Sequence, residues 1–185
     1  MAQKLKANLV LIGLRGCGKS ALGRVLANLL NFTFVDLDQV LVARAQKTIP
    51  QFVAEFGWEK FRELESQLVQ EFAQQKHQVL ATGGGVILKQ ANVTHLKKFG
   101  LLVFLQVPLV ILQKRICQNA DRPSLTGKDP GAELAQVWAE RKERYLAAAD
   151  LRVELNSETG DKEADLQQKA QLIWEQIKGM LEMGG

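Results

Sequence analysis

Gly13-Leu14-Arg15-Gly16-Cys17-Gly18-Lys19-Ser20 decides the fold of this 185-residue chain. It fits the pattern G-x-x-x-x-G-K-[ST]. Before it lies an apolar run over 7–12 (ANLVLI) with Asn8 as its one polar residue, and after it a stretch over 19–30 with Ala21, Leu22, Val25, Leu26 and Leu29 at helical spacing. A continuous apolar run reads as a strand buried on both faces, and apolar residues three and four apart read as an amphipathic helix. Strand, glycine-rich turn, helix is the context in which this motif cradles phosphate. The glycines permit a tight turn whose N–H groups converge, and the positive end of the helix adds to the cradle. Lys19 can then reach the β- and γ-phosphates of a nucleotide, and the Ser20 hydroxyl is placed to ligate Mg²⁺. Gly13, Arg15, Gly16, Cys17, Gly18, Lys19, Ser20 and Ala21 are the candidate nucleotide contacts. A thiol at a helix N-terminus tends to ionise more easily, but the plainer reading of Cys17 is a small residue filling space.

Outward from this loop, short apolar runs alternate with helical stretches. Strands are expected over 32–35, 79–81, 101–107 and 151–155. Helices are expected over 39–46, 58–75, 89–99, 108–117, 132–149 and 161–182. The stripe of the 58–75 helix is Trp58, Phe61, Leu64, Leu68 and Phe72, and Gly57 separates it from a short helix ending at Phe56. Thr48-Ile49-Pro50-Gln51 reads as a capping box with proline in the first turn. Strands alternating with helices imply parallel crossovers, hence a three-layer α/β domain. The stretch 118–131 is polar, holds two of the four prolines, and is the one connection long enough to suspect a lid.

Composition agrees with a single domain over 1–185. The chain is 46% hydrophobic and 24% charged, near ordinary globular usage and unlike a disordered chain. Net charge is +4, but Lys and Arg are scattered among 20 acids, so no nucleic-acid partner is implied. No apolar stretch reaches the ~18–20 residues of a membrane span. Lys4 and Lys6 precede an apolar run that breaks into Arg15 without a small-residue cleavage site, so no leader is expected. Cys17 and Cys117 form no disulfide framework and suit a reducing compartment; the expected location is cytoplasmic.

Three further features bear on what receives a phosphoryl group. Asp36 and Asp38 end the second strand as D-x-D. At the carboxyl end of a parallel strand, where ligands gather, a period of two puts both carboxylates on one face if the extended conformation persists. Asp as a helix cap is the alternative. Gly83-Gly84-Gly85 follows the third strand, and three glycines cost backbone entropy unless something must approach closely. Arg62 either faces solvent, paired with Glu59 or Glu65, or serves a ligand; Arg141 and Arg144 face the same choice. Arg122, in Asp121-Arg122-Pro123-Ser124-Leu125, sits beside a stiffening proline, where a mobile arginine could swing onto phosphates.

Together GLRGCGKS, FVDLD, FRELE, TGGG, DRPSL and ERKERY resemble the shikimate kinase family, in that order, over about 7–180. The resemblance implies a P-loop NTPase fold with a five-stranded parallel sheet in order 2-3-1-4-5 and helices on both faces. It also implies a substrate-binding flap over about 39–75 and a lid over about 118–131. It implies transfer of the ATP γ-phosphoryl group to the 3-hydroxyl of shikimate by a monomer using Mg²⁺. By the same resemblance Ser20 and Asp36 would serve the metal, and Asp38 would bind the ring hydroxyls and act as base. Arg62 and Arg141 would clamp the carboxylate, and Gly83, Gly84 and Gly85 would lie against the substrate. Arg122 would close onto the transferring group, and Arg115 would lie near the adenine. Two departures stand out: Ser124 replaces a leucine usual in the lid, and Asn156-Ser157-Glu158 after the last strand does not match the family's adenine-contacting segment, whereas Thr82 at the end of the third strand, in place of the Asp of many phosphate-loop enzymes, fits the family. A gluconate or nucleotide kinase, and a nucleotide-binding scaffold without catalysis, are the alternatives.

Overall fold

The computed structural model describes residues 7–118, 130–156 and 161–183. Five strands form one parallel sheet: β1 (Asn8–Ile12), β2 (Thr33–Asp36), β3 (Gln78–Ala81), β4 (Gly100–Gln106) and β5 (Leu151–Glu154). Their order is β2-β3-β1-β4-β5, as the resemblance implies. β1 is central, with Leu9 opposite Val79 on one side and Leu101 on the other. Every residue of β1 is buried. Neighbours along a strand point to opposite faces, so this burial means that helices cover both faces.

Among the described residues seven helices connect and cover the strands: α1 (Lys19–Leu30), α2 (Leu37–Ala45), α3 (Ile49–Ala73), α4 (Gln90–Phe99), α5 (Leu109–Gln118), α6 (Pro130–Ala148) and α7 (Lys162–Met183). Their bounds, and those of the strands, fall within two residues of the expected ones. α3 is two helical arms joined at Gly57, whose φ of 81° is a left-handed conformation that glycine adopts without strain. The Thr48 capping box is formed, with Thr48 and Gln51 exchanging hydrogen bonds. A short 3₁₀ turn over Val86–Leu88, absent from the periodicity reading, carries the chain out of the glycine triplet.

Two apolar positions do not face the core as their spacing suggests. Leu29 on α1 and Trp58 on α3 are both exposed, while Phe61 and Leu68 of the same α3 stripe are buried. Trp58 starts the second arm of α3, and its ring meets Phe61 edge-on. α7 buries Ala170, Ile173 and Ile177 and packs along α1.

Two buried polar groups fix the connections that aim the site. The Asn8 side-chain amide donates to the Ala73 and Gln75 carbonyls and accepts from the Gln78 N–H, tying the end of α3 to β3. Thr82, just past β3, donates both its N–H and its hydroxyl to the Leu11 carbonyl. That pair holds the start of the glycine triplet against the strand that leads into the phosphate loop. No described helix is long and apolar enough to cross a membrane.

Candidate active site

The phosphate loop leaves β1 at Gly13, whose φ is 149°. A Cβ there would stand 2.8 Å from the Leu105 carbonyl oxygen and 2.9 Å from Cys17 Sγ, so only glycine passes between β4 and the loop interior. Cys17 is buried and packs into that turn, as a space-filling residue does. The Lys19 ammonium is held over the loop by the Gly13 and Leu14 carbonyls, each at 2.9 Å. α1 has no side-chain cap and no acid in its first turn. Its first N–H groups and positive dipole end are thus left for an anion. Arg115 of α5 donates to the Gly16 carbonyl at 3.0 Å, bracing the loop from the far side.

Ser20 opens α1 and donates its hydroxyl to Asp36 Oδ2 at 2.5 Å. Asp36 Oδ1 accepts from the N–H groups of Asp38 and Gln39, at 3.1 and 3.3 Å. Asp36 is therefore the N-cap of α2, and Asp38 lies in its first turn. This corrects the strand reading of D-x-D: the chain turns helical at Leu37, so extended alternation does not bring the two carboxylates together. The capping alternative and the phosphate-side role coexist in one residue, one oxygen for each. Ser20 and Asp36 offer adjacent hard oxygens. They fit Mg²⁺ shared with nucleotide phosphates, since that ion takes one or two protein oxygens and keeps water for the rest.

The residues expected on the acceptor side converge on Gly83-Gly84-Gly85. A Cβ on Gly83 would stand 2.7 Å from Glu65 Oε1 and 2.8 Å from Asp38 Oδ1, so both carboxylates flank that residue. A Cβ on Gly85 would collide with the Arg62 guanidinium. From the other side Arg141 Nη1 of α6 donates to the Gly84 carbonyl at 3.0 Å. Gly84 also faces the phosphate loop: its Cβ would stand 3.5 Å from both the Arg15 N and the Gly13 carbonyl oxygen. Two guanidinium groups and two carboxylates thus meet on one glycine turn, against the loop that would carry phosphates.

Arg62 pairs with Glu65 at 2.7 Å, one turn along α3, with side-chain exposures of only 19% and 4%. Sequestering such a pair costs solvation that its attraction does little more than offset, so stability is a weak reason to keep it. Burial pushes the Glu65 carboxyl above its ordinary range, Asp38 adds to the rise, and the Arg62 guanidinium opposes it. Glu65 Oε1 and Arg141 Nε are buried without a hydrogen-bond partner among the described residues. A buried, unpaired guanidinium N–H is costly on its own and is a ready donor to an anionic ligand. Arg144 is exposed and donates to the Leu88 carbonyl, farther from the triplet.

A family model for shikimate kinase matches residues 15–177. A shikimate kinase of Synechococcus elongatus is 35% identical over 166 residues, covering 90% of this chain and 86% of its own. One from Nitratidesulfovibrio vulgaris is 42% identical over 142 residues, 75% of this chain and 81% of its own. The chain belongs to the shikimate kinase family. A solved shikimate kinase from Acinetobacter baumannii in complex with shikimate superposes with a TM-score of 0.86 at 31% identity, covering 94% of each chain.

Against the pattern expected from the family, the structure brings Asp38, Arg62, Gly83, Gly84, Gly85 and Arg141 to one place. It sets Gly13, Arg15, Gly16, Gly18, Lys19, Ser20 and Ala21 along the facing loop and helix start. Arg122 and nearly all of the lid segment 118–131 lie outside the described residues. Glu65 is the residue undervalued in the sequence. It figured there only as a possible surface partner of Arg62, though its three-residue spacing in FRELE was the signal. Tyr145, the last residue of ERKERY, was given no role of its own in the sequence. It lies one turn past Arg141 and donates its hydroxyl to the Gly84 carbonyl at 2.5 Å.

Proposed function

We propose that this chain transfers the γ-phosphoryl group of ATP to the 3-hydroxyl of shikimate, giving ADP and shikimate 3-phosphate. One observation carries the reading. Arg62 and Arg141 reach the same glycine turn from two helices, beside Asp38 and facing the phosphate loop. Two guanidinium groups recognise a carboxylate by charge-assisted, bidentate hydrogen bonds, which disfavours neutral polyols.

Phosphoryl transfer passes through a loose transition state whose charge spreads over the equatorial oxygens, so placement and positive charge do most of the chemistry. Lys19 and the N–H groups of the loop supply charge on the nucleotide side. Mg²⁺, held through Ser20 and Asp36, would neutralise charge shared by the β- and γ-phosphates. Asp38 orients the acceptor hydroxyl and takes its proton as the bond to phosphorus forms. The glycine turn lets the acceptor ring lie against backbone, and Arg62 and Arg141 fix its far end. Arg122 is the arginine we assign to the transferring group, and Arg115 the one near the adenine. We also keep Mg²⁺ as the metal, the monomer as the working unit and the cytoplasm as the compartment. In support of Mg²⁺, the Ser20–Asp36 donor set is all oxygen.

An ADP-release assay across shikimate, quinate, gluconate and nucleoside monophosphates tests the reading. Release with shikimate well above the others is expected. Preferred release with gluconate or a nucleotide would replace the acceptor, and ATP binding with no release for any acceptor would favour a scaffold.

A further inference from the structure

Tyr145 of α6 is fully buried, yet its hydroxyl ends on the turn that the acceptor is proposed to touch. Its ring lies flat on Phe104, with centroids 5.0 Å apart and planes 3° apart. Phe104 stands opposite Ile12 in the β1–β4 ladder, one residue before Gly13. The phenol is therefore seated on the strand pair that delivers the phosphate loop, and its oxygen grips the facing turn. Burial keeps the hydroxyl protonated far above the ordinary tyrosine range, against the pull of the Arg141 charge, so it remains a donor.

The carbonyl of Gly84 takes two donors, Tyr145 at 2.5 Å and Arg141 at 3.0 Å. Those occupy both lone pairs and fix the plane of the Gly84–Gly85 peptide. A trans peptide points its N–H opposite to its C=O. The Gly85 N–H is thus turned away from α6, and among the described residues it has no acceptor. Arg62 is packed against the same glycine.

We propose that Tyr145 is a positioning residue. Its hydroxyl fixes the Gly84–Gly85 peptide and the Arg141 side chain, and so sets the spacing between the acceptor and the phosphate loop. This rests on the acceptor reading above. The hydroxyl is not needed merely to satisfy the carbonyl, because Arg141 remains bonded to it. Its loss therefore strands no buried acceptor and costs little stability.

The test is Tyr145→Phe, which keeps the stack on Phe104 and deletes only the oxygen. Shikimate KM, ATP KM, kcat and melting temperature are measured beside wild type, with shikimate affinity checked by calorimetry. We expect shikimate KM and dissociation constant to rise about tenfold, with ATP KM within twofold and melting nearly unchanged. If shikimate affinity is unchanged, or if both substrates weaken equally, the inference is overturned while a wild type active on shikimate leaves the acceptor reading intact. If wild type releases no ADP with shikimate, the acceptor reading itself fails and takes this inference with it.

Discussion

The phosphate cradle comes from eight consecutive residues, 13–20, and uses backbone more than side chains. The acceptor side draws Asp38 from α2, Arg62 and Glu65 from α3, the glycine turn from the end of β3, and Arg141 and Tyr145 from α6. On the nucleotide side the loop is held mainly by its own chain, with Lys19 bonded to carbonyls five and six residues back, and β4 meets it where Gly13 passes Leu105. On the acceptor side the spacing is set by how α3 and α6 pack around β3. The difference teaches that a contiguous site tolerates drift in the rest of the fold, whereas a distributed one is specific because every packed element must be in register.

The contrast predicts how each side breaks. The largest effect should come from Lys19→Ala. It removes the point charge over the cradle, and we expect kcat to fall about 10³-fold, the upper range for one preorganised electrostatic group. Shikimate binding, measured by calorimetry, should stay within twofold. A parallel loss of shikimate affinity would mean that the two sides are not built independently.

A smaller effect sharpens the acceptor side. Glu65 has a carboxyl pushed above its ordinary value of 4.5 by burial, so the folded state binds its proton more tightly than the unfolded state does. The stability linked to it is full below that value and is lost as pH rises through the raised one. Urea midpoints of wild type minus Glu65→Gln, followed from pH 4 to 8, should therefore decline with pH. A flat difference would show that the Glu65 environment is not the desolvated one described. The exposed Arg44–Glu71 pair between α2 and α3, at 44% and 45% side-chain exposure, is the contrasting case. Such pairs contribute little and are screened by salt.

This contrast also explains what could be read in advance. Residues 13–20 announce themselves because motif, strand and helix are neighbours in the chain. The alternation of strands and helices needs only local periodicity, and it located every element but the 3₁₀ turn. The acceptor residues were picked out one by one through family resemblance. Their meeting is not a matter of spacing: Arg62 and Gly85 are brought together by α3 and β3, Arg141 and Gly84 by α6. The D-x-D misled because strand periodicity was extended two residues past Asp36, the cap of α2. Trp58 misled because helical period marks a face without saying where the core ends. Tyr145 stood in ERKERY without a role, since only the position of its oxygen, on the Gly84 carbonyl, sets it apart.

The central claim is that paired guanidinium groups grip a carboxylate and thereby aim the acceptor's hydroxyl. The most direct test compares shikimate with its methyl ester, in wild type and in Arg62→Ala, by kcat/KM at saturating ATP. Wild type is expected to discriminate against the neutral ester by about a hundredfold, the scale of a charge-assisted bidentate contact, and Arg62→Ala by no more than a few-fold. Undiminished discrimination in Arg62→Ala would contradict the claim.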